Sequence, residues 1–85
     1  MAKIVWTEGA IKDMENVDKL IALRILKRIA WLASNFEQVA AEPLAGEFKG
    51  TFKLRIGDWR AVYSAEGDSI IIQLVGHRRE IYRTK

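Results

Sequence analysis

The chain has 85 residues and a mass of 9.7 kDa, which suffices for one small domain, over residues 1–85, and excludes two. Hydrophobic residues make up 49% of the chain and charged residues 29%, a balance that excludes a disordered tail. The absence of cysteine excludes disulfides, thiolate metal sites and cysteine nucleophiles, and it suits a reducing cytosol. No apolar run approaches the ~18 residues of a membrane-spanning helix and the N-terminus lacks a signal-peptide pattern, so we expect a cytoplasmic protein with no membrane partner.

The net charge of +3 belongs entirely to the second half of the chain. Residues 1–45 carry six Lys and Arg against six Asp and Glu, whereas residues 46–85 carry eight against five. Cations matter for binding when they are concentrated, because their fields add. The distribution fits either a solvated charged face or a surface for an anionic partner.

Helix signals dominate the first 36 residues. After a short β-rich segment at 3–6, Thr7 can cap a helix that we predict over about residues 8–16. Asp18 is a second capping residue, and it precedes a longer helix that ends near Asn35. The apolar face of this second helix is predicted from Leu23, Leu26, Ala30 and Ala33, flanked by Ile25, Ile29, Leu32 and Phe36.

Trp31 falls in the polar stripe of the second predicted helix. The other members of this stripe are Arg24, Lys27, Arg28 and Asn35. An aromatic side chain in such a position has two interpretations. Either the first helix covers Trp31, or Trp31 is an exposed anchor for a partner.

Strand signals dominate residues 51–75. Residues 36–50 have no clear period and contain Pro43, Gly46 and Gly50, which predicts a connector. Residues 51–56 alternate between apolar and polar side chains, and Gly-Asp turns separate them from strands over 59–65 and 69–75. Two helices followed by three strands predict an α+β domain in which both helices pack on one face of an antiparallel sheet. With residues 3–6 as a further strand, the order is β-α-α-β-β-β.

The catalytic inventory of the chain is narrow. Neither an HExxH pattern, nor a paired-Asp cage, nor a Gly-rich phosphate loop is present, so we expect no metal and no cofactor. A Ser/His/Asp triad built from His77 and nearby Ser and Asp residues lacks a nucleophile elbow.

What remains is a cluster of cations on the predicted sheet. Hairpin pairing places Lys53 and Arg55 on the face opposite Phe52 and Leu54, with Arg60 near them across the turn. Such side chains pair with phosphate oxygens and stabilise the extra charge of a five-coordinate transition state. When the 2′-hydroxyl of RNA attacks its own phosphate, the protein supplies only a base, an acid and charge stabilisation. The residues therefore suit RNA cleavage without a nucleophilic side chain.

Further cations stand where the third strand ends. Strict alternation places Arg78 on the side of Ile70, Ile72 and Leu74, unless Gly76 changes the parity through a bulge. The sequence leaves both orientations open. Tyr82 adds an aromatic hydroxyl, which suits a role in the chemistry or stacking on a base.

Three segments of the chain resemble the RelE group of the RelE/ParE toxin superfamily: PLAG at 43–46, FKLRIGDWRAVY at 52–63 and VGHRREIY at 75–82. The predicted order of elements is similar to that of the family over essentially the whole chain. The resemblance implies a toxin-antitoxin toxin, an endoribonuclease that enters the ribosomal A site and cuts the bound mRNA without a metal. It also implies a cognate antitoxin as partner, contributing an amphipathic helix or extended segment, and operator DNA bound through the complex.

The resemblance also implies a role for each residue of the family's catalytic set. Lys53 would be the base, aided by Tyr82, and Arg60 would hold the scissile phosphate. Arg78 would stabilise the transition state and help the leaving oxygen to gain its proton. The residues expected to bind RNA around them are Lys49, Arg55, His77, Arg79 and Arg83.

Other functions fit the same fold, since a fold does not fix a function. One is a ParE-like inhibitor that binds DNA gyrase and does no chemistry. Another is a degenerate toxin that only binds its antitoxin. Each site residue also has a structural interpretation: Lys53 can be part of a solvated strand face, Arg60 can pair with Asp58 or Glu80, and Tyr82 can cap the core. The joint presence of Lys53, Arg60, Arg78 and Tyr82 favours the nuclease.

Overall fold

In the computed structural model, which describes residues 1–39 and 41–81, two helices pack on one face of a five-stranded sheet. The elements are β1 (Lys3–Trp6), α1 (Glu8–Glu15), α2 (Lys19–Ser34), β2 (Glu42–Pro43), β3 (Phe52–Ile56), β4 (Trp59–Glu66) and β5 (Ser69–His77). This arrangement confirms the predicted α+β fold. The sheet order is β1-β5-β4-β3-β2, and the sheet is mixed rather than antiparallel because β1 pairs with β5 in parallel.

Both helices begin at their predicted caps. The Oγ1 of Thr7 accepts a hydrogen bond from the Ala10 amide at 3.1 Å, and the Oδ2 of Asp18 accepts one from the Leu20 amide at 3.1 Å. The predicted connector, residues 36–50, contains β2 and two 3-10 turns, Phe36–Gln38 and Gly46–Phe48. Within the described ranges, neither helix is long and apolar enough to cross a membrane.

The core face of α2 differs from the predicted one. Ile25, Ile29 and Leu32 are almost fully buried against the sheet, whereas Leu23 and Leu26 are 48% and 44% exposed. The helix is apolar on two adjoining stripes, and only one of them can contact the sheet. Truncating a core residue such as Ile29 to Ala typically costs about 2–5 kcal/mol, so this stripe fixes the position of the helix.

A bulge at Gln73 interrupts the alternation of β5. Val62 pairs with Leu74 and Tyr63 with Ile72, so Gln73 has no residue opposite to it. The expectation that Leu74 shares a face with Ile70 and Ile72 is therefore wrong. The extra residue turns Leu74 away from the core cluster and brings Val75 into it.

Helix α1 holds this bulge in place. The Thr7 hydroxyl donates to the Ile72 carbonyl at 3.0 Å, and the Oδ2 of Asp13 accepts from the Val75 amide at 2.9 Å. These bonds satisfy backbone groups on either side of Gln73. The bulge thus depends on contacts between segments more than 60 positions apart in the chain.

Two-residue Gly-Asp turns close both hairpins of the meander. Gly57 and Gly67 have φ values of 60° and 58°, while the aspartates that follow them keep negative φ. A glycine with positive φ at the first central position is the pattern of type II′ hairpin turns. The turns lie at opposite ends of β4, and only the first lies near the candidate site.

Candidate phosphate-binding site

The sheet face away from the helices carries a basic surface on β3 and β4. Lys53 and Arg55 alternate with the buried Leu54 and Ile56, and Arg55 pairs in register with Arg60. Residues paired in this way have Cβ atoms about 4.5–5.5 Å apart, and like charges placed so destabilise the sheet. The pairing of Arg55 with Arg60 therefore destabilises the sheet unless other groups or a bound anion compensate the two positive charges.

The guanidinium of Arg60 lies on the β3–β4 turn. Its Nη1 donates to the carbonyl oxygens of Gly57 and Trp59 at 2.7 and 2.8 Å. Within the part of the chain that the structure describes, Arg60 pairs with neither Asp58 nor Glu80. Backbone carbonyls orient this guanidinium without neutralising it, so its charge stays available to an anion.

Arg78 reaches the same turn from the end of β5. Its amide donates to the Asp58 carbonyl at 2.8 Å, and its Nε lies 3.4 Å from the Oδ1 of Asp58. Both side chains of this ion pair are more than half exposed, so the pair contributes only about 0–1 kcal/mol. The side chain of Arg78 is thus directed to the turn that also holds Arg60, and it is free to exchange partners at little cost.

Glu42 of β2 is a site neighbour that the sequence did not reveal. It stands opposite Lys53 in register, and its Oε2 lies 3.3 Å from the Nη2 of Arg55. Glu42 falls in the segment predicted as a connector, and a two-residue strand has no periodicity from which it can be recognised. This carboxylate partly compensates the strand cations, and Arg55 is the one that it holds.

The structure places the other predicted residues apart from this cluster. His77 stands opposite Trp59 on the helix side of the sheet, with the two ring centres 5.6 Å apart, and its Nδ1 accepts from the Arg79 amide at 3.2 Å. Lys49 is exposed in the loop before β3, and Arg79 is exposed in the turn after β5. Tyr82 and Arg83 lie outside the described residues. The cations brought together are therefore Lys53, Arg55, Arg60 and Arg78.

Tyr63 lies beneath this surface on the core side of β4. It is 2% exposed and contacts the Phe52 ring at a centroid distance of 5.6 Å. Burial raises the pKa of Tyr63 above its usual value of 10.0, and the nearby Glu42 charge raises it further. The phenol is therefore neutral at physiological pH and belongs to the core rather than to the basic surface.

Comparison with known families identifies the chain. Residues 4–82 match the sequence model described as the ParE toxin of the type II toxin-antitoxin system, parDE. The chain belongs to this toxin family. It is therefore a toxin of a type II toxin-antitoxin system within the RelE/ParE superfamily, as the sequence resemblance predicted. No curated protein matches the chain in sequence.

Solved structures give the same fold for this toxin. A chain of the toxin-antitoxin complex RelBE2 from Mycobacterium tuberculosis is 25% identical with a TM-score of 0.79, and the match covers 91% of this chain and 98% of that one. A chain of the RelB-RelE complex from Methanococcus jannaschii is also 25% identical, with a TM-score of 0.70 and coverages of 92% and 94%. The isolated E. coli RelE toxin is 16% identical with a TM-score of 0.75 and coverages of 100% and 89%, which shows the fold alone.

Proposed function

We propose that the toxin is a ribosome-dependent endoribonuclease that cuts mRNA in the ribosomal A site and so inhibits translation. The observation that supports this function best is the meeting of Arg60 and Arg78 at one turn, beside the strand face that carries Lys53 and Arg55. Guanidinium groups fixed around one point can hold a phosphate by several charge-assisted hydrogen bonds. Comparison with the E. coli RelE structure supports the shared fold but no specific reaction.

The proposed reaction uses the RNA's own nucleophile. The 2′-oxygen attacks the adjacent phosphorus and loses its proton to the Lys53 amine. The bond to the 5′-oxygen breaks, and that oxygen leaves and takes up a proton from water with the help of Arg78. The products are a 2′,3′-cyclic phosphate and a 5′-hydroxyl. Arg60 binds the non-bridging oxygens of the phosphate. Arg78 leaves its ion pair with Asp58 and stabilises the negative charge that develops in the transition state. We propose that Tyr82 assists Lys53, as the resemblance implies.

The test is mRNA cleavage on programmed ribosomes, with analysis of the new RNA ends. We expect Arg60→Ala and Arg78→Ala each to reduce the cleavage rate by more than ~10²-fold, since each removes charge stabilisation from the transition state. Cleavage should persist in EDTA and should require the ribosome.

Lys3→Ala is the matched control, because Lys3 is an exposed cation on β1, four strands across the sheet from β2 and beside the second hairpin turn, where its amide donates to the Asp68 carbonyl. We expect it to cleave at the wild-type rate. Intact mRNA with the wild-type protein refutes the nuclease. An equal loss of rate in Lys3→Ala refutes the assignment of the two arginines.

A second candidate is inhibition of DNA gyrase without chemistry, because the matching family model is that of ParE. The internal partners of Arg55, Arg60 and Arg78 also fit this function, since cations engaged within the protein need no substrate. A supercoiling assay separates the two. Inhibition of purified gyrase that survives Arg60→Ala, together with intact mRNA on ribosomes, assigns the protein to the second function.

We further propose that a cognate antitoxin neutralises the toxin and covers the outer side of the helical pair. The structures similar to this chain include two antitoxin complexes. An apolar groove of about 440 Å³ lies between α1 and α2 and is lined mainly by Trp6, Ile11, Met14, Ala22 and Leu26. An amphipathic helix fits such a groove. Leu26→Glu should then reduce co-purification with the co-expressed antitoxin, and operator DNA would be bound through that complex.

A further inference from the structure

One side of α2 carries three cations and a tryptophan. Arg24, Lys27, Arg28 and Trp31 follow the spacing i, i+3, i+4, i+7, which aligns them in one stripe of a helix. This stripe is separate from the buried stripe of Ile25 and Ile29 and from the antitoxin groove. The first helix does not cover Trp31, which is 43% exposed, so one of the two sequence interpretations of this residue is wrong.

The stripe lines a groove against the end of β3. The groove is an open space of about 450 Å³, and its other wall is formed by Arg55, Ile56 and Gly57. Among residues 1–39 and 41–81, β2 pairs with Phe52 and Lys53 alone, and the rest of β3 has no strand partner on that side. The Nε of Arg28 donates to the Arg55 carbonyl on that edge at 3.4 Å. We call this space the α2 groove.

The α2 groove is positively charged and lacks acidic residues. Four of its seven lining residues are Arg or Lys, and none is Asp or Glu. Within residues 1–39 and 41–81, no ion pair involves Arg24, Lys27 or Arg28. Arg55 has Glu42 as its counter-charge, but the three cations of α2 have none among these residues, and like charges gathered in this way oppose folding and attract an anionic ligand. Their concentration here therefore indicates a partner that carries negative charge.

Trp31 adds an aromatic platform to this charge. The guanidinium carbon of Arg28 lies 4.2 Å from the centre of the Trp31 ring, a cation–π contact. Bases of single-stranded nucleic acids stack on such aromatic rings while nearby cations neutralise their phosphates. A nucleic-acid strand uses both features in each repeating unit, because its base stacks on the ring while its phosphate pairs with a neighbouring cation.

We propose that the α2 groove binds single-stranded RNA, with a base stacked on Trp31 and phosphates on Arg24, Lys27 and Arg28. The groove joins the candidate cleavage surface at two points. Arg55 belongs to both, and Gly57 lines the groove while its carbonyl holds Arg60. One strand can therefore run from the groove to the basic surface. Only the identity of the natural RNA rests on the proposed function, because binding does not require cleavage.

The test measures binding of an uncleavable strand. A short fluorescein-labelled 2′-O-methyl oligoribonucleotide lacks the 2′-hydroxyl nucleophile, and its anisotropy reports affinity over a range of salt concentrations. We expect the triple variant Arg24→Ala/Lys27→Ala/Arg28→Ala to bind at least ~10-fold more weakly. The slope of log affinity against log salt should fall by about 2, since each lost phosphate contact removes about 0.7.

Single variants separate stacking from charge. Trp31→Ala should weaken binding by about 5- to 150-fold with an unchanged salt slope, since a stacked base contributes about 1–3 kcal/mol. Trp31→Phe should retain most of the affinity because it keeps an aromatic face. Circular dichroism checks that each variant is folded.

The matched control is the triple variant Lys3→Ala/Lys12→Ala/Lys19→Ala, which removes the same charge from exposed positions outside the groove. Equal losses in both triple variants, or no binding by the wild type, would overturn the proposal. So would binding of poly-glutamate through the groove residues without binding of the oligonucleotide. If the oligonucleotide binds through the groove but mRNA is not cleaved, the RNA-binding groove stands and the nuclease is refuted. If mRNA is cleaved but binding does not depend on the groove, only the RNA-binding groove is refuted.

Discussion

The two hairpin turns of the sheet share one sequence and one backbone conformation but have different surroundings. At Gly57-Asp58, the turn accepts hydrogen bonds from Arg60 and Arg78. A Cβ built on Gly57 would lie only 3.0 Å from the Nη2 of Arg24. At Gly67-Asp68, the turn carbonyl of Asp68 accepts from the amide of Lys3 at 2.8 Å, and a Cβ on Gly67 would meet no atom within 4 Å.

The difference shows that the turn itself does not make the candidate site. Both turns expose carbonyl and carboxylate oxygens, yet the guanidinium groups that the structure describes gather at the first and not at the second. Those groups come from α2, from β4 and from the end of β5, three segments that are far apart in the chain. The site is therefore a property of the tertiary fold, and the second turn is a natural control for the first.

The glycine substitutions give the largest expected effect. Gly57→Ala and Gly67→Ala each force a positive φ on alanine, so each should lower the free energy of unfolding by about 1–2 kcal/mol, measured by urea denaturation. The two losses should be similar because the end of the Arg24 side chain can move away. Only Gly57→Ala displaces Arg24, and it should weaken oligonucleotide binding about 3-fold more than Gly67→Ala.

A loss of stability at Gly57 that exceeds the loss at Gly67 by more than about 1 kcal/mol would contradict this account. It would mean that Arg24 is held rigidly against the turn. The affinity comparison would then need correction for the unfolded fraction of the variant.

The aspartate substitutions should have a smaller effect. Asp58→Asn and Asp68→Asn raise the net charge equally, but only Asp58 lies among the arginines. Asp58→Asn should tighten oligonucleotide binding about 3-fold at low salt, because it frees Arg78 and removes a nearby negative charge. Asp68→Asn should leave the affinity within error. Equal tightening in the two variants would show that net charge alone decides binding.

Tyr63→Phe should have no effect near neutral pH and a visible one in alkali. Because its pKa is raised in the folded state, Tyr63 stabilises the fold fully below pH 10, and this contribution is lost as the pH rises towards the raised pKa. Tyr63→Phe should therefore weaken the alkaline loss of stability in urea titrations. Tyr63 lies in β4, which connects the two turns. In the wild-type protein at alkaline pH, backbone amides near both turns should therefore lose protection from hydrogen exchange together. An unchanged alkaline profile would contradict the raised pKa.

Local patterns were enough to predict most of the elements and the basic strand face. The caps Thr7 and Asp18 and the alternation around Lys53 and Arg55 depend on neighbours in sequence, which is why they were predicted correctly. The bulge at Gln73 was not predictable, because it depends on hydrogen bonds from Thr7 and Asp13.

The arrangement around the candidate site also escaped prediction where it depends on tertiary contacts. The ion pair between Arg78 and Asp58 forms because the strand order places the end of β5 beside the β3–β4 turn. Glu42 lies at the site because it belongs to β2, a strand of two residues. The predicted core face of α2 was right in its flanking residues Ile25, Ile29 and Leu32 and in Ala33. It was wrong in Leu23 and Leu26, because two apolar stripes compete for the sheet. The periodicity identifies both apolar stripes of the helix, but only packing against the sheet determines which of them is buried.

The parallel pairing of β1 with β5 has a consequence for how the protein is made. Trp6 stands beside Ile72, and the Thr7 cap that starts α1 donates to the Ile72 carbonyl across 65 positions of sequence. Contacts of such long range form late in folding, because the entropy of closing a long loop is lost before the contacts that compensate for it have formed. Strand β1 therefore cannot join the sheet until β5, more than 60 residues later in the sequence, has been synthesised. A chain that is truncated before Ile72 leaves part of β1 without its partner strand.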